Sequence, residues 1–328
     1  MKSLFKNTFT LFLLAVLSPS ITIANPQLAY VPNARANMEI LDTRLYQSSQ
    51  FEYPHAVTIA LPASYKQLPD KSYPVLWVLD DPLMTRTAIA TVDLLVAGNF
   101  IPELIVIGVG SPSEAGLAGV GRRIIEFSPP GEGFAAPGLH SQVFKEAVPL
   151  PEYPHRAADF LAFLADELRL ELAQELRFAD DHILHGHSLG GLLAGYTLFS
   201  RPSAFDRMII GSPAMANVDD SVFKLEAAYA RENSELPTQL YVGAGGAEGN
   251  EWFLNVGGIL SGTARFIERL SLRNYTGLQL HSKIYSDENH YTVAPRIISD
   301  GLRHFYREEA EKIGSSWPQQ PKRTEDKD

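Results

Sequence analysis

Gly186-His187-Ser188-Leu189-Gly190-Gly191 fits the pattern G-x-S-x-G, and its flanks constrain the fold more than any other stretch. Ile183 and Leu184 before it read as the end of a short apolar strand. Leu192 to Leu198 after it read as the start of an apolar helix. A strand, a tight turn and a helix in that order hold a serine at the carboxyl edge of a sheet with its hydroxyl exposed. The helix N-terminus then offers backbone N–H groups to an oxyanion. Glycines flank the serine because side chains there would collide in the turn.

The rest of the chain supplies the sheet this turn needs. Ala56–Leu61, Pro74–Leu79, Glu103–Val109, His182–Leu184, Arg207–Ile210, Gln239–Val242 and Leu278–Tyr285 read as strands. Their near-continuous apolar character suits a sheet covered on both faces. Helical patterns lie between them, at about Thr87–Ala97, Ala157–Leu176, Gly190–Ser200 and Gly257–Arg273, with Ala294–Arg307 after the last strand. This alternation predicts one α/β domain over residues 25–313, with a mainly parallel central sheet. Residues 39–61 have no helix between their strands and are expected at an antiparallel edge. Residues 110–153 are rich in Gly and Pro, and are expected as a long substrate-side loop at the carboxyl edge. Residues 314–328 read as a disordered polar tail.

Residues 1–24 resemble a secretory signal peptide: Lys2 and Lys6, an apolar run from Thr10 to Leu17, and Thr22-Ile23-Ala24 as a cleavage site. The expected location is therefore periplasmic or secreted, with no stable membrane span after cleavage. Without those two lysines, 26 basic residues face 38 acidic ones, which argues against nucleic acid as a partner. The chain has no cysteine. That excludes disulfides, thiol catalysis and Cys-based metal sites.

A serine hydroxyl is a weak nucleophile at neutral pH. It needs a base, and the base needs a partner that fixes its tautomer. In a sheet of this kind the expected chain order is Ser, acid, His. His290 follows the last strand and the polar turn Ser286-Asp287-Glu288-Asn289, whereas His281 lies inside a strand and His304 inside a helix. The acid is expected past Gln239–Val242, in Gly243 to Glu251. Glu248 is the first choice and Glu251 the second, with Asp219, Asp220 and Asp287 also open. Leu189 N–H is one oxyanion donor. The other belongs to the loop after Pro74–Leu79, where Asp81 and Leu83 are the candidates because Pro82 has no N–H. Arg122, Arg123, His187 and Trp252 are assigned to the substrate side. The arginines have two readings, meeting an anionic substrate or bridging to nearby acids.

His182, His185 and His187 with Asp180 and Asp181 form a rival cluster. In a strand His185 and His187 share a face and His182 points to the other. A metal site is not expected there, and no organic cofactor is implied.

Ala60-Leu61-Pro62 with Tyr65, Tyr73 to Asp80, Gly186 to Gly191, Ser212-Pro213, Val242-Gly243 with Glu248, and Glu288-Asn289-His290 resemble the Putative esterase family of α/β-hydrolases. The resemblance runs from about residue 48 to 310, and points to the esterase D and siderophore-esterase-like branch. It implies the α/β-hydrolase fold, Ser188 as nucleophile, His290 as base and Glu248 at the acid position. It also implies a small-molecule ester or lactone substrate, a siderophore among the options. The chain departs from the family where Asp80-Asp81-Pro82 replaces the usual Asp-Gly. An acyltransferase with the same residues, and a non-catalytic binding protein on the same fold, are the alternative readings.

Overall fold

Nine strands form one sheet in the computed structural model, which describes residues 37–41, 43–130, 155–216 and 220–314. The expected signal peptide, residues 131–153 of the expected loop and residues 315–328 of the expected tail lie outside the described residues. In chain order the elements are β1 (Glu39–Ile40), β2 (Arg44–Gln47), β3 (Pro54–Leu61), β4 (Tyr73–Leu79), α1 (Leu83–Ala97), β5 (Ile105–Gly110) and α2 (Leu117–Phe127). Then come α3 (Ala157–Ala162), which runs on through a π-helical turn, β6 (Phe178–His187), α4 (Leu189–Ser200), β7 (Arg207–Gly211) and α5 (Ser221–Glu232). The chain closes with β8 (Gln239–Gly245), α6 (Ile259–Arg273), β9 (Gln279–Tyr285) and α7 (Val293–Phe305). Short helices also span Trp252–Val256 and Arg307–Ile313.

The strand order is β1-β3-β5-β4-β6-β7-β8-β9, with β2 also paired to β3. From β5 to β9 every pairing is parallel, while β3 runs antiparallel to β5, β1 and β2. The expected antiparallel edge and parallel centre are therefore both present. Alternate side chains feed two cores, as the period of a strand requires. Val75, Trp77, Leu79, Leu184 and Ile210 pack with Phe160, Leu192, Leu198 and Phe266 on one face. Leu76, Val78, Ile183 and Ile209 pack with Ala88, Val92, Ile297 and Leu302 on the other. Burial on both faces explains why these strands read as unbroken apolar runs.

Two elements depart from the sequence reading. The stretch expected as a loop holds α2, whose Gly119 and Gly121 lower helix propensity and hide its period. Helix α5, which the sequence reading left without an element, mixes apolar and charged residues, and its Glu226 is fully buried against Arg269, Arg273 and Tyr275. Among the described residues no helix is long and apolar enough to cross a membrane.

His185 sits inside β6 with no exposed surface, and one ring nitrogen pairs with Ile209 O at 3.2 Å. Burial pushes its pKa down to about 4. A histidine depressed in the folded state is protonated first in the unfolded chain. Its contribution is therefore full above about pH 6.5 and is lost as pH falls toward 4. At about 1.4 kcal/mol per pH unit, His185 alone should remove about 2 kcal/mol between pH 7 and pH 5. Urea unfolding at the two pH values measures this loss, and His185→Asn should reduce it.

Candidate active site

Strand β6 ends at His187 and α4 begins at Leu189, so Ser188 stands alone in the turn at φ 61 and ψ −119. A non-glycine residue at positive φ is strained, and such strain persists only where the surroundings hold it. Here Ser188 N–H donates to Gly211 O at 2.9 Å, and Ser188 O accepts from Leu192 N–H and Ala214 N–H. A Cβ on Gly186 would lie 2.1 Å from Gly190 O, so the turn closes only with glycine at that position. Leu189 is the first residue of α4, and its N–H is not spent on an intrahelical bond.

The loop after β8 carries Glu248, whose relative exposure is 0%. Its Oε1 pairs with His290 Nδ1 at 2.7 Å. Its Oε2 accepts from Ser212 Oγ at 3.1 Å and from Gly245 N–H at 2.9 Å. Three partners thus satisfy a buried carboxylate that would otherwise be costly. With Nδ1–H donated to Glu248, His290 keeps Nε2 free as an acceptor. The loop before His290 presses on β8 so closely that a Cβ on Gly245 would lie 2.2 Å from Glu288 O. Glu251 and Asp287 are exposed, Asp220 pairs with Arg265, and Asp219 lies outside the described residues.

His187 has a different part from the one expected. It is 4% exposed, and its Nε2 donates to the backbone carbonyl of His290 at 2.8 Å. The two rings lie 4.6 Å apart. Burial holds His187 well below the usual histidine pKa, with His290 adding to the effect. It is therefore a neutral support for the His290 loop rather than a wall of the substrate pocket. Its place immediately before Ser188 was the one available signal. Ser212, at φ 40, is a second support that residue spacing alone does not reveal.

The oxyanion candidates on the β4 loop separate. Asp81 N–H already donates to Val109 O at 3.3 Å, which corrects its reading as a free donor. Leu83 opens α1, so its N–H remains unspent within the helix. The Asp81 side chain turns inward and accepts from Thr58 Oγ1 at 2.9 Å. It fits because Gly108 has no side chain: a Cβ there would lie 2.6 Å from Asp81 Oδ1. Burial raises the Asp81 pKa.

Both arginines make contacts within the protein, and Arg123 takes the second of the two readings, a bridge to an acid. Arg123 forks onto the Asp80 carboxylate, and Arg122 lies over the Tyr53 ring, 4.1 Å from its centre. Trp252 stays 60% exposed on the short helix that follows the Glu248 loop. The histidine cluster of β6 disperses. His182 accepts from Trp77 Nε1–H, Asp181 pairs with Arg207, and His185 and His187 bond to separate carbonyls. Among the described residues no group of three or more His, Asp or Glu is arranged to hold a metal ion.

A family model described as Putative esterase matches residues 48–277, a span that contains Ser188 and Glu248. The chain belongs to this family. Among curated relatives, the ferri-bacillibactin esterase BesA of Bacillus subtilis is 26% identical over 47% of this chain. The siderophore triacetylfusarinine C esterase of Aspergillus fumigatus is 27% identical over 49%. The matches span 56% and 52% of those two proteins, so the chain covers about half the length of the relatives it matches. Among solved structures, an IroE-like serine hydrolase from Shewanella oneidensis superposes with a TM-score of 0.68 at 20% identity, over 83% of this esterase-family chain and 80% of the other. The siderophore hydrolase EstA from Aspergillus nidulans gives 0.68 at 21% identity, over 84% and 95%. These likenesses establish the α/β-hydrolase fold.

Proposed function

We propose that this member of the family is an exported serine hydrolase that cleaves a carboxylic ester through an acyl-enzyme on Ser188. The observation that carries the reading is the buried Glu248–His290 contact at the same sheet edge as the strained serine turn. In this mechanism His290 Nε2 takes the Ser188 proton as Oγ attacks the ester carbonyl. Leu189 N–H and Leu83 N–H receive the oxyanion, and the imidazolium then protonates the leaving alkoxide. Glu248 holds the tautomer and stabilises the imidazolium. Water, deprotonated by His290, releases the acid and restores the serine. No step calls on a metal or organic cofactor.

The siderophore-esterase names of the relatives support a siderophore ester or lactone as substrate. The N-terminal pattern of residues 1–24 supports export. A panel of 4-nitrophenyl esters, feruloyl esters and cyclic siderophore lactones, each with and without an alcohol acceptor, tests the reading. The expected result is acid release, fastest from the siderophore esters. Product carried mainly by the added alcohol assigns an acyltransferase, and a folded protein inert to the whole panel removes the hydrolase reading.

A further inference from the structure

We infer that Tyr291 and Trp252 receive the leaving alcohol of the ester, and that they select an alcohol bearing an aromatic ring. The inference rests on the proposed serine mechanism. Among the described residues four aromatic side chains stand exposed, those of Phe100, Trp252, Phe253 and Tyr291. Three of the four lie just past the acid or the base. Tyr291 follows His290 directly and is 74% exposed, and Trp252, at 60%, stands in the segment after Glu248. Exposed apolar residues scattered singly are ordinary, whereas a group of them beside reacting residues marks a contact surface.

Both residues sit on short segments whose backbones are pinned. Asn289 Oδ1 accepts Tyr291 N–H at 3.0 Å and Thr292 N–H at 3.1 Å, and Asn289 N–H donates to Thr292 Oγ1 at 3.0 Å. The Tyr291 and His290 rings stand at 78°, with centres 5.8 Å apart. Trp252 opens the short helix Trp252–Val256. Glu251 N–H ties that helix to Glu248 O at 3.2 Å, and Asn255 Nδ2 ties it to Gly249 O at 2.8 Å. The two segments also meet each other. Ala247 N–H donates to Glu288 O at 3.1 Å, and a Cβ on Gly246 would lie 2.7 Å from Ser286 O. The loops that carry the two aromatic residues therefore lie side by side.

The path of the proton assigns this side of the site to the alcohol. As Ser188 Oγ bonds to the ester carbon, its proton moves to His290 Nε2. The bond from that carbon to the alcohol oxygen then breaks, and the same proton goes to the departing oxygen. That oxygen must come within about 3 Å of Nε2. The oxyanion points elsewhere, to Leu189 N–H and Leu83 N–H at the starts of α4 and α1. The body of the alcohol therefore leaves past His290, along the side that Tyr291 and Trp252 border. A ring on the alcohol gains from offset or edge contacts with the two side chains, each of which fixes only two torsions to make them. The phenol O–H and the indole N–H offer polar contacts to the same group.

Ethyl butyrate and 2-phenylethyl butyrate share an acyl group and differ in the alcohol. Wild type should favour the 2-phenylethyl ester in kcat/KM by about thirtyfold, and Tyr291→Ala and Trp252→Ala should each cut that ratio by about fivefold. Tyr291→Phe keeps the ring and should keep most of the preference. The ratio between ethyl hexanoate and ethyl butyrate, which differ only in the acyl group, should move by less than about twofold in every variant. If Tyr291→Ala does not fold, Tyr291→Phe and Trp252→Ala carry the same comparison. Equal losses on both alcohols leave the ratio where it was and overturn the inference, because a merely structural defect acts that way. A shift in the acyl ratio instead places the two residues on the acyl side, and also overturns it. A folded wild type that turns over neither ester and takes no fluorophosphonate at Ser188 removes the serine mechanism and this inference with it. A wild type that takes the label at Ser188 but shows no preference for the 2-phenylethyl ester overturns the inference alone.

Discussion

Ser188→Ala and His290→Ala should each lower kcat on a 4-nitrophenyl ester by about a millionfold, and the double variant should be no slower than either. The serine has no other route to an acyl-enzyme, and without His290 nothing removes its proton. The two groups act as one unit, so losing the second costs almost nothing once the first is gone. Both changes shorten partly buried side chains. His290 holds its loop through its backbone carbonyl, which His187 still binds in the variant. Thermal unfolding should change little for Ser188→Ala, while His290→Ala leaves the buried Glu248 Oε1 without its partner and should cost about 1–3 kcal/mol of stability; both variants should lose turnover. Steady-state kinetics on the two single variants and the double variant measure the effect. Additive losses would place the two residues in separate roles.

Glu248→Gln should lower kcat by about ten thousandfold, the size expected when an orienting carboxylate becomes an amide and the base takes the wrong tautomer. The geometry gives the reason. Glu248 accepts from His290, Ser212 and Gly245 through two oxygens, and all three are donors. A glutamine must turn its NH2 toward one side. Facing His290, it forces the imidazole to place its proton on Nε2, where the serine proton should go. Facing Gly245 and Ser212, it leaves a buried N–H without an acceptor, at a cost of about 1–3 kcal/mol. Kinetics together with urea unfolding distinguish these outcomes. A variant with near-wild-type turnover would transfer the acid role to another carboxylate, and both Glu251 and Asp287 are exposed.

The sequence carried the serine turn and the order of its partners because both follow from local chemistry. Glycines mark the turn, and Ser188, Glu248 and His290 each lie in the stretch that follows the end of a strand. It left Glu248 and Glu251 open together, since two glutamates in one glycine-rich loop differ only once the loop is folded. Burial then separates them. Helix α2 stayed hidden because glycines break its period. Arg123 and Asp80 are 43 positions apart, and nothing in either neighbourhood marks the other. The role of His187 was hidden for the same reason, its partner carbonyl lying 103 positions downstream. Asp81 stands where the family usually has glycine. It is accommodated by Gly108, on a neighbouring strand that the motif does not include.

The central claim is that Ser188 is the nucleophile, and mass spectrometry after reaction with a fluorophosphonate tests it most directly. The account predicts one adduct per chain, mapped to the peptide that contains Ser188, and none on Ser188→Ala. A folded wild-type protein that gains no mass, or an adduct on another serine such as Ser212 or Ser286, would contradict it.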